Sequence, residues 1–303
     1  NKNVLKNIGA FGGFFKFPAE AYRKPVLVAS TDGVGTKLKV AVLMNKHRTV
    51  GQDLVNHCIN DIAVCGARPL FFLDYFACGK LDERVYRQII QGFVEACRKA
   101  QLPLIGGETA EMPDLYRAED YDLAGTIVGV VEQEEIIDGS RIQEKDVMIG
   151  VASNGLHTNG YSLARKVLFA NYAPGDFVPE LNNTLGDELL KIHINYFPLI
   201  HQLTQNFDVK GIAHITGGGL YKNTLRIIPK GLIPNFYWNS WDRPPIFRLI
   251  QQTGNVPEED MRQTFNLGIG LVFILERNKQ KKLLNYVKNF EQDFYRIGEI
   301  VEK

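Results

Sequence analysis

Apolar segments of strand length alternate with amphipathic helical segments along the whole chain, and glycine-rich turns follow several of the strands. Such alternation is typical of α/β folds. The pattern predicts strands at 25–30, 69–76, 102–105, 123–131, 147–152, 210–216, 265–275 and 294–301. It predicts helices at 37–44, 50–65, 82–100, 161–170, 187–205, 219–228, 245–253 and 278–290. The expected fold class is therefore α/β, of mixed α+β character.

A polar stretch at 132–146 separates the two halves of this pattern. The chain has 303 residues, of which 45% are apolar and 23% charged, and this length suits about two globular domains. We therefore expect a first domain at 1–140 and a second at 141–303.

Charge and cysteine content exclude several classes of protein. The formal net charge is +1, which gives no field for nucleic acid or for an anionic membrane. No apolar run reaches the roughly 18 residues that a membrane-spanning helix needs, and no signal peptide is visible. The cysteines are Cys58, Cys65, Cys78 and Cys97, without C-x-x-C spacing. They are expected to be reduced thiols in a cytoplasmic protein that contacts neither nucleic acid nor membrane.

The segment from Ser30 to Lys37 has the composition of a phosphate-binding turn. It places Asp32, two glycines, a hydroxyl and a lysine after the predicted strand at 25–30. Glycines let backbone N–H groups approach a ligand, and an acid beside a lysine suits a metal-bound phosphate. The spacing is neither that of a Walker loop nor that of a dinucleotide fingerprint. Taken alone, an ordinary loop is the more frequent meaning of an Asp-Gly turn after a strand.

The predicted helix at 50–65 carries short polar groups along one side. Asp53, Asn56, His57, Asn60 and Asp61 recur there at helical spacing. A solvated face would normally carry Lys and Glu instead, whereas these groups can coordinate a cation or accept hydrogen bonds. Taken alone, this helix is interpreted equally well as presenting a functional face or a solvent-exposed face.

Two acids, Glu108 and Glu111, follow a buried strand beside Gly106 and Gly107. Together with the acids of the two preceding segments they form a set of hard oxygen donors that is dispersed in sequence. Such a set suits Mg²⁺ bound jointly with nucleotide phosphates. A cap or a turn would explain any one of these acids, but it explains the set poorly.

Two polar turns of the second half each lie between a strand and a helix and each carry one histidine. Their backbone N–H groups, at a helix start, favour an anion. A lone histidine is usually structural, but two beside glycine-rich turns are better candidates for meeting a substrate. The candidate residues are Ser153, Asn154, Gly155, His157, Asn159, His214, Thr216, Gly217, Gly218 and Gly219.

These segments together resemble the aminoimidazole ribonucleotide synthetase family, also called phosphoribosylformylglycinamidine cyclo-ligase, over nearly the whole chain. The matching runs are 31–37, 60–61, 71–75, 79–82, 106–113, 157–163 and 214–219. The resemblance implies a two-domain subunit and a homodimer whose N-terminal sheets pair into a barrel. It also implies cytoplasmic purine synthesis, in which ATP and formylglycinamidine ribonucleotide give aminoimidazole ribonucleotide, ADP and phosphate.

The resemblance implies that the first domain binds ATP and Mg²⁺ and forms the dimer, and that the second binds substrate and phosphate. Mg²⁺ would be held by Asp32, Asp61 and Glu108. Nucleotide contacts would come from Gly9, Gly12, Gly13, Asp32, Gly33, Gly35, Thr36, Lys37, Asn60 and Asp61, with the first three glycines as a lid and Lys37 on the phosphates. Substrate or phosphate contacts would come from Gly107, Glu108 and the two turns of the second half. Catalytic roles fall to Asp32, Lys37, Asp61, His157 and His214.

Two departures from the family pattern keep alternatives open. Family members usually carry a longer N-terminal segment than this chain, which begins at Asn1. The segment 192–198 keeps only Tyr196 of a frequent family motif. The rival hypotheses are a kinase or a selenophosphate synthetase of the same superfamily, and a non-catalytic, nucleotide-binding paralogue. A selenophosphate synthetase would be expected to carry a reactive Cys in the 9–15 loop, which has none.

Overall fold

A computed structural model describes residues 1–5, 9 and 11–303, so Ala10 of the expected lid segment lies outside the described residues. The chain divides into two compact units. The first contains Asn1–Ile136 and Leu190–Phe197, and the second contains Ile137–Leu189 and Pro198–Lys303. A contiguous second domain at 141–303 is therefore corrected in one respect, because Leu190–Phe197 packs with the first unit.

In its described residues, the first unit is a four-stranded sheet with three helices. Its strands are β1 (Pro25–Gly33), β2 (Arg68–Cys78), β3 (Leu104–Glu111) and β4 (Tyr121–Glu132), and its helices are α1 (Leu38–Met44), α2 (Arg48–Ala63) and α3 (Glu83–Lys99). The sheet order is β1-β4-β2-β3. β4 runs antiparallel to both neighbours, whereas β2 and β3 are parallel and are connected through α3. Asp82 caps α3, since its carboxylate accepts from the Arg84 and Val85 N–H groups.

α2 and α3 pack closely against each other, and α2 lies against the sheet. A Cβ atom on Gly51 would collide with the carbonyl oxygen of Ile89, and one on Gly92 would collide with that of Arg48. Glycine at both positions therefore lets the two backbones touch. The fully buried side chains Leu54, Ile59, Phe72, Phe93 and Ile127 form the core of this unit.

Two expected turns of the first unit are strand instead. β1 continues through Asp32 and Gly33, which pair with Gly125 and Ala124 of β4. β3 continues through Gly107 to Glu111, paired with β2. The prediction that these glycines end their strands is wrong, because the long partners β4 and β2 supply main-chain hydrogen bonds along the whole segment.

The second unit is a five-stranded antiparallel sheet with seven helices in its described residues. The strands in chain order are β5 (Val147–Ala152), the short pair β6 (Phe177–Val178) and β7 (Asn183–Thr184), β8 (Gly211–His214), β9 (Leu232–Phe236), β10 (Ile269–Leu275) and β11 (Phe294–Glu302). The helices are α4 (Tyr161–Leu168), α5 (Leu185–Leu189), α6 (Phe197–Asn206), α7 (Gly219–Leu225), α8 (Pro245–Gly254), α9 (Glu258–Thr264) and α10 (Gln280–Tyr286). The sheet order is β8-β10-β5-β11-β9, and every residue of β10 is buried.

The predicted helix at 187–205 is wrong, because the chain leaves the helical conformation between α5 and α6. The intervening segment uses its main-chain groups to bind side chains of α2. The Asn195 side chain then accepts from the Phe197 N–H, where α6 begins. β9 and α9 were not predicted. Among the described residues, no helix has the length and apolar character that crossing a membrane requires.

Candidate functional site

Three titratable side chains of the first unit meet where β1 lies against α2. Asp32 is near the end of β1, and His57 and Asp61 lie one turn apart on α2. His57 Nε2 is 2.9 Å from Asp32 Oδ2 and 3.8 Å from Asp61 Oδ2. The Ser30 hydroxyl donates to Asp61 Oδ2 at 3.1 Å. We call Asp32, His57 and Asp61 the carboxylate site.

The electrostatics of the carboxylate site favour positive charge. His57 is 3% exposed. Burial by itself lowers the pKa of His57. The hydrogen bond with Asp32 and the negative charge of Asp61 raise the pKa by more than burial lowers it, so the pKa of His57 is raised overall. Two carboxylates on one imidazole edge also provide oxygen donors for a hard cation.

The other polar side chains of α2 form hydrogen bonds with main-chain groups of the segment 190–197. The His193 N–H donates to Asp53 Oδ1 at 2.7 Å, and Asn56 Nδ2 donates to the His193 carbonyl at 2.7 Å. Asn60 Nδ2 donates to the Ile194 carbonyl, and Asn60 Oδ1 accepts from the Tyr196 N–H, both at 2.8 Å. Contrary to our expectation for the nucleotide, Asn60 uses its amide to bind the segment 190–197.

Lys37 is also used inside the first unit. Its Nζ lies 2.7 Å from Asp53 Oδ2 and donates to the Lys191 carbonyl at 2.6 Å. Both side chains of the ion pair are 0% exposed. The expectation that Lys37 contacts ATP phosphates is therefore corrected: its amine neutralises a buried carboxylate and helps to hold the segment 190–197.

Glu108 lies away from the carboxylate site. Asp32 shares a row of the sheet with Gly125, Asp74 and Gly107, whereas Glu108 lies in the next row and so points to the opposite face. β1 and β3 are three strand spacings apart, or about 14 Å. The expected metal set of Asp32, Asp61 and Glu108 is therefore corrected, since one chain cannot bring Glu108 to the other two.

The remaining expected nucleotide residues lie in loops and at strand ends. Gly33 ends β1, and Gly35 and Thr36 are exposed in the 3₁₀ turn that precedes α1. The chain around the expected lid forms a hairpin-like pairing, in which the Leu5 N–H donates to the Phe14 carbonyl. Gly9 has a φ of 124°. A Cβ atom on Gly12 would meet no other atom within 4 Å, whereas one on Gly13 would lie 2.7 Å from the Ile105 carbonyl oxygen.

The two expected phosphate turns of the second unit lie side by side. Ala152 at the end of β5 and His214 at the end of β8 both pair with the first part of β10. A Cβ atom on Gly217 would lie 3.2 Å from Asn159 Oδ1. Residues 153–160, the β5 turn, and residues 216–219, the β8 turn, therefore lie next to each other.

Both turns contain residues in the left-handed region. Gly155, Gly160, Gly218 and Gly219 have positive φ values, and so does His157, at 59°. His157 is 1% exposed, and the Tyr161 hydroxyl donates to its carbonyl at 3.1 Å. A histidine held in a strained conformation inside a turn is typical of a functional position. His214 is 7% exposed, at the end of β8.

Several residues of these regions have partners that the sequence did not predict. Ser30 binds Asp61, and Asp53 pairs with Lys37. Asn223 and Asn266 hold the two turns through buried hydrogen bonds. An Asn just before a glycine-rich strand start is a signal for Asn266, but the partners of Asp53 are too far along the chain for any local pattern to reveal them.

Two family models match the chain and together account for most of it. The N-terminal domain of AIR synthase related protein matches residues 20–131, and the C-terminal domain matches residues 143–303. The chain belongs to the AIR synthase family. The carboxylate site lies within the first match and both turns lie within the second.

Curated relatives within the AIR synthase family are similar over almost their whole length. A phosphoribosylformylglycinamidine cyclo-ligase of Thermodesulfovibrio yellowstonii is 51% identical over 98% of this chain and 87% of its own length. One of Alkaliphilus metalliredigens is 46% identical over 99% of this chain and 87% of its own length.

Solved structures show the same fold at low sequence identity. A thiamine-monophosphate kinase of Stenotrophomonas maltophilia has a TM-score of 0.75 at 18% identity, covering 99% of this chain and 89% of its own. The hydrogenase maturation protein HypE of E. coli has a TM-score of 0.72 at 16% identity, covering 100% of this chain and 87% of its own. These likenesses establish the mixed α/β fold of the AIR synthase family for both units.

Proposed function

We propose that this chain catalyses the ATP-dependent cyclisation of formylglycinamidine ribonucleotide to aminoimidazole ribonucleotide, with release of ADP and phosphate. The observation that carries the proposal is the identity of 46% to 51% with curated cyclo-ligases over nearly the whole chain. The described kinase neighbour, at 18% identity, supports the fold alone. Carboxylates that suit a cation in one unit and turns that suit an anion in the other support the proposal, because such a reaction uses both.

The side chains of the carboxylate site fit Mg²⁺. Asp32 and Asp61 offer hard oxygen donors on one imidazole edge, and Asp32 is 45% exposed and Asp61 22% exposed. These two residues would hold the ion. Bound there, Mg²⁺ would neutralise charge on the ATP phosphates. Nucleotide contacts from Gly33, Gly35 and Thr36, and a lid formed by Gly9, Gly12 and Gly13, are part of the proposal.

The chemistry asks the protein mainly to position groups and to neutralise charge. An amide oxygen leaves poorly, so it is first phosphorylated, and the amidine nitrogen then attacks the activated carbon and closes the ring. Phosphoryl transfer gains most from fixed donors and cations. The β5 and β8 turns would hold a phosphate through their N–H groups. His157 and His214 would stabilise the phosphorylated intermediate or move a proton.

The fate of the amide oxygen tests the function. Substrate labelled with oxygen-18 at the formyl-derived amide is expected to give labelled inorganic phosphate, unlabelled aminoimidazole ribonucleotide and one phosphate for each ring closed. Unlabelled phosphate would mean ring closure beside uncoupled ATP hydrolysis. A phosphorylated organic end product would identify a kinase, and absence of substrate-dependent ADP formation would identify a non-catalytic paralogue.

We further propose a cytoplasmic homodimer in which the four-stranded sheets of two chains pair into a barrel, with contacts at the sheet face that points away from α2. Leu27 of β1 is 62% exposed and Tyr75 of β2 is 37% exposed. β1 and β3 are the edge strands of this sheet among the described residues, and proteins normally cover such edges. Sedimentation at micromolar concentration should show about twice the chain mass of 34.2 kDa, and a species of that mass alone would contradict the dimer.

A further inference from the structure

Asn223 of α7 holds the β8 turn from inside the second unit. It is 3% exposed. Its amide nitrogen lies 3.2 Å from the Thr216 carbonyl oxygen, 3.3 Å from that of Gly217 and 2.8 Å from that of Gly219. Its amide oxygen lies 3.3 Å from the Thr216 hydroxyl. One neutral side chain therefore gathers three carbonyl groups of the turn on one side.

The position of these carbonyl groups fixes where the N–H groups of the turn point. The described residues contain no cis peptide bond. In a trans peptide, the carbonyl group and the following N–H group point in opposite directions. Because the Thr216 and Gly217 carbonyls face Asn223, the Gly217 and Gly218 N–H groups face away from it.

Asn266 holds the β5 turn in the same manner. It is 4% exposed, and its amide nitrogen donates to the Gly155 carbonyl at 2.9 Å. Its amide oxygen accepts from the Gly268 N–H at 2.9 Å and lies 3.0 Å from the Ser153 hydroxyl. The Gly155 carbonyl thus faces Asn266, and the N–H group of the following residue, Leu156, faces away.

We propose that Asn223 and Asn266 are positioning residues that preset the N–H groups of the two turns to receive a phosphate dianion. This rests on the proposed function, which places a phosphate at these turns. Donors whose direction is already fixed need no reorganisation when the anion arrives. A neutral amide suits the task because a carboxylate could not donate to the carbonyl groups and would repel the anion. The phosphate is either that of the substrate ribose or the one transferred from ATP.

The test compares Asn223→Leu and Asn266→Ala with Ile250→Ala. Leucine has nearly the size of asparagine but makes no hydrogen bond, so Asn223→Leu leaves the carbonyl groups free to turn. Ile250 is fully buried in α8 and belongs to neither turn, so its truncation is the control for a loss of stability. Binding of inorganic phosphate is measured by calorimetry and by the shifts of the Gly217 and Gly218 amide signals in glycine-labelled protein. Asn223→Ser, which keeps a short donor, replaces Asn223→Leu if the latter does not fold.

The dissociation constant for phosphate should rise about tenfold or more in both asparagine variants and stay within about twofold in Ile250→Ala. A rise in the KM for formylglycinamidine ribonucleotide at unchanged KM for ATP identifies the ribose phosphate as the occupant. A fall in kcat with weaker product inhibition by phosphate identifies the transferred group. Asparagine variants that bind phosphate as tightly as Ile250→Ala overturn the proposal. If the wild type closes no ring, that result overturns the proposed function but not the role of the two asparagines. Their role is still tested, because the binding of phosphate can be measured without turnover.

Discussion

The two candidate regions of this chain are built from different parts of the polypeptide. The carboxylate site consists of side chains that project from a strand and a helix, whereas the two turns of the second unit offer main-chain groups. Carboxylate side chains carry negative charge and therefore suit a cation, whereas main-chain N–H groups carry partial positive charge and therefore suit an anion. A single substitution can therefore remove a functional group of the first region directly. The main-chain groups of the second region can be changed only by substituting the side chains that hold them, such as Asn223 and Asn266.

The largest effect is expected where the first region is supported by a buried ion pair. Lys37→Met leaves the Asp53 carboxylate unpaired at 0% exposure, which should cost about 3–5 kcal/mol of unfolding free energy. The measurement is urea unfolding at pH 7. Lys39→Met is the matched control, because Lys39 is 42% exposed in its pair with Asp120 and should cost under about 1 kcal/mol.

The double variant Lys37→Met with Asp53→Asn checks the cause. It removes both charges and keeps an oxygen that can accept from the His193 N–H, so it should be more stable than Lys37→Met alone. A single variant as stable as the wild type would mean that Lys37 does not support this region, and it would return Lys37 to the list of candidate nucleotide contacts.

A second variant asks whether the carboxylate site acts in the reaction. Asp61→Asn keeps an acceptor for the Ser30 hydroxyl but removes one negative charge, and turnover should fall by about two orders of magnitude or more. The measurement is substrate-dependent ADP formation at saturating Mg²⁺ and ATP, with thermal unfolding as a check of the fold. Asp208→Asn, at an exposed pair with Arg141, should turn over normally. Near-normal turnover of Asp61→Asn would remove Asp61 from the site.

The smallest effect is expected in an ion-pair network of the second unit. Glu258 accepts from Arg243, Arg262 and Gln251, and the hydrogen bond from Arg243 leads the causes that lower its pKa to about 2. A depressed pKa stabilises the fold above the ordinary value of 4.5, and this contribution is lost as the pH falls towards about 2. Because Glu258 is 38% exposed, Glu258→Gln should cost under about 1 kcal/mol at pH 7.

The measurement is the difference in melting temperature between wild type and Glu258→Gln across this pH range. The difference should shrink steadily as the pH falls from 4.5 towards 2. A difference in melting temperature that is the same at pH 4.5 and near pH 2 would mean that the charge of Glu258 does not stabilise the second unit.

The sequence predicted most elements, because hydrophobic periodicity and glycine-rich turns are local signals, and it singled out the segments of both candidate regions, whose function stays a prediction. It could not assign a face to Glu108, since that depends on the register across three other strands. It also placed Asn60 and Lys37 at a ligand. Their partners are main-chain groups of 191–196, far along the chain, and the same contacts turned a predicted continuous helix into two.

The return of residues 190–197 to the first unit also affects how the chain is made. On the ribosome, α2 emerges long before the segment whose main chain binds Asp53, Asn56 and Asn60. At about 5–20 residues per second, the stretch from the end of α2 at Ala63 to Leu190 takes about 6 to 25 seconds to synthesise. During that interval Lys37 and Asp53 can form their ion pair, but the Lys191 carbonyl and the His193 N–H that bind them in the folded protein have not yet been synthesised. The first unit can therefore reach its final stability only after much of the second has been synthesised, and a fragment that ends at residue 136 should be a poor substitute for it.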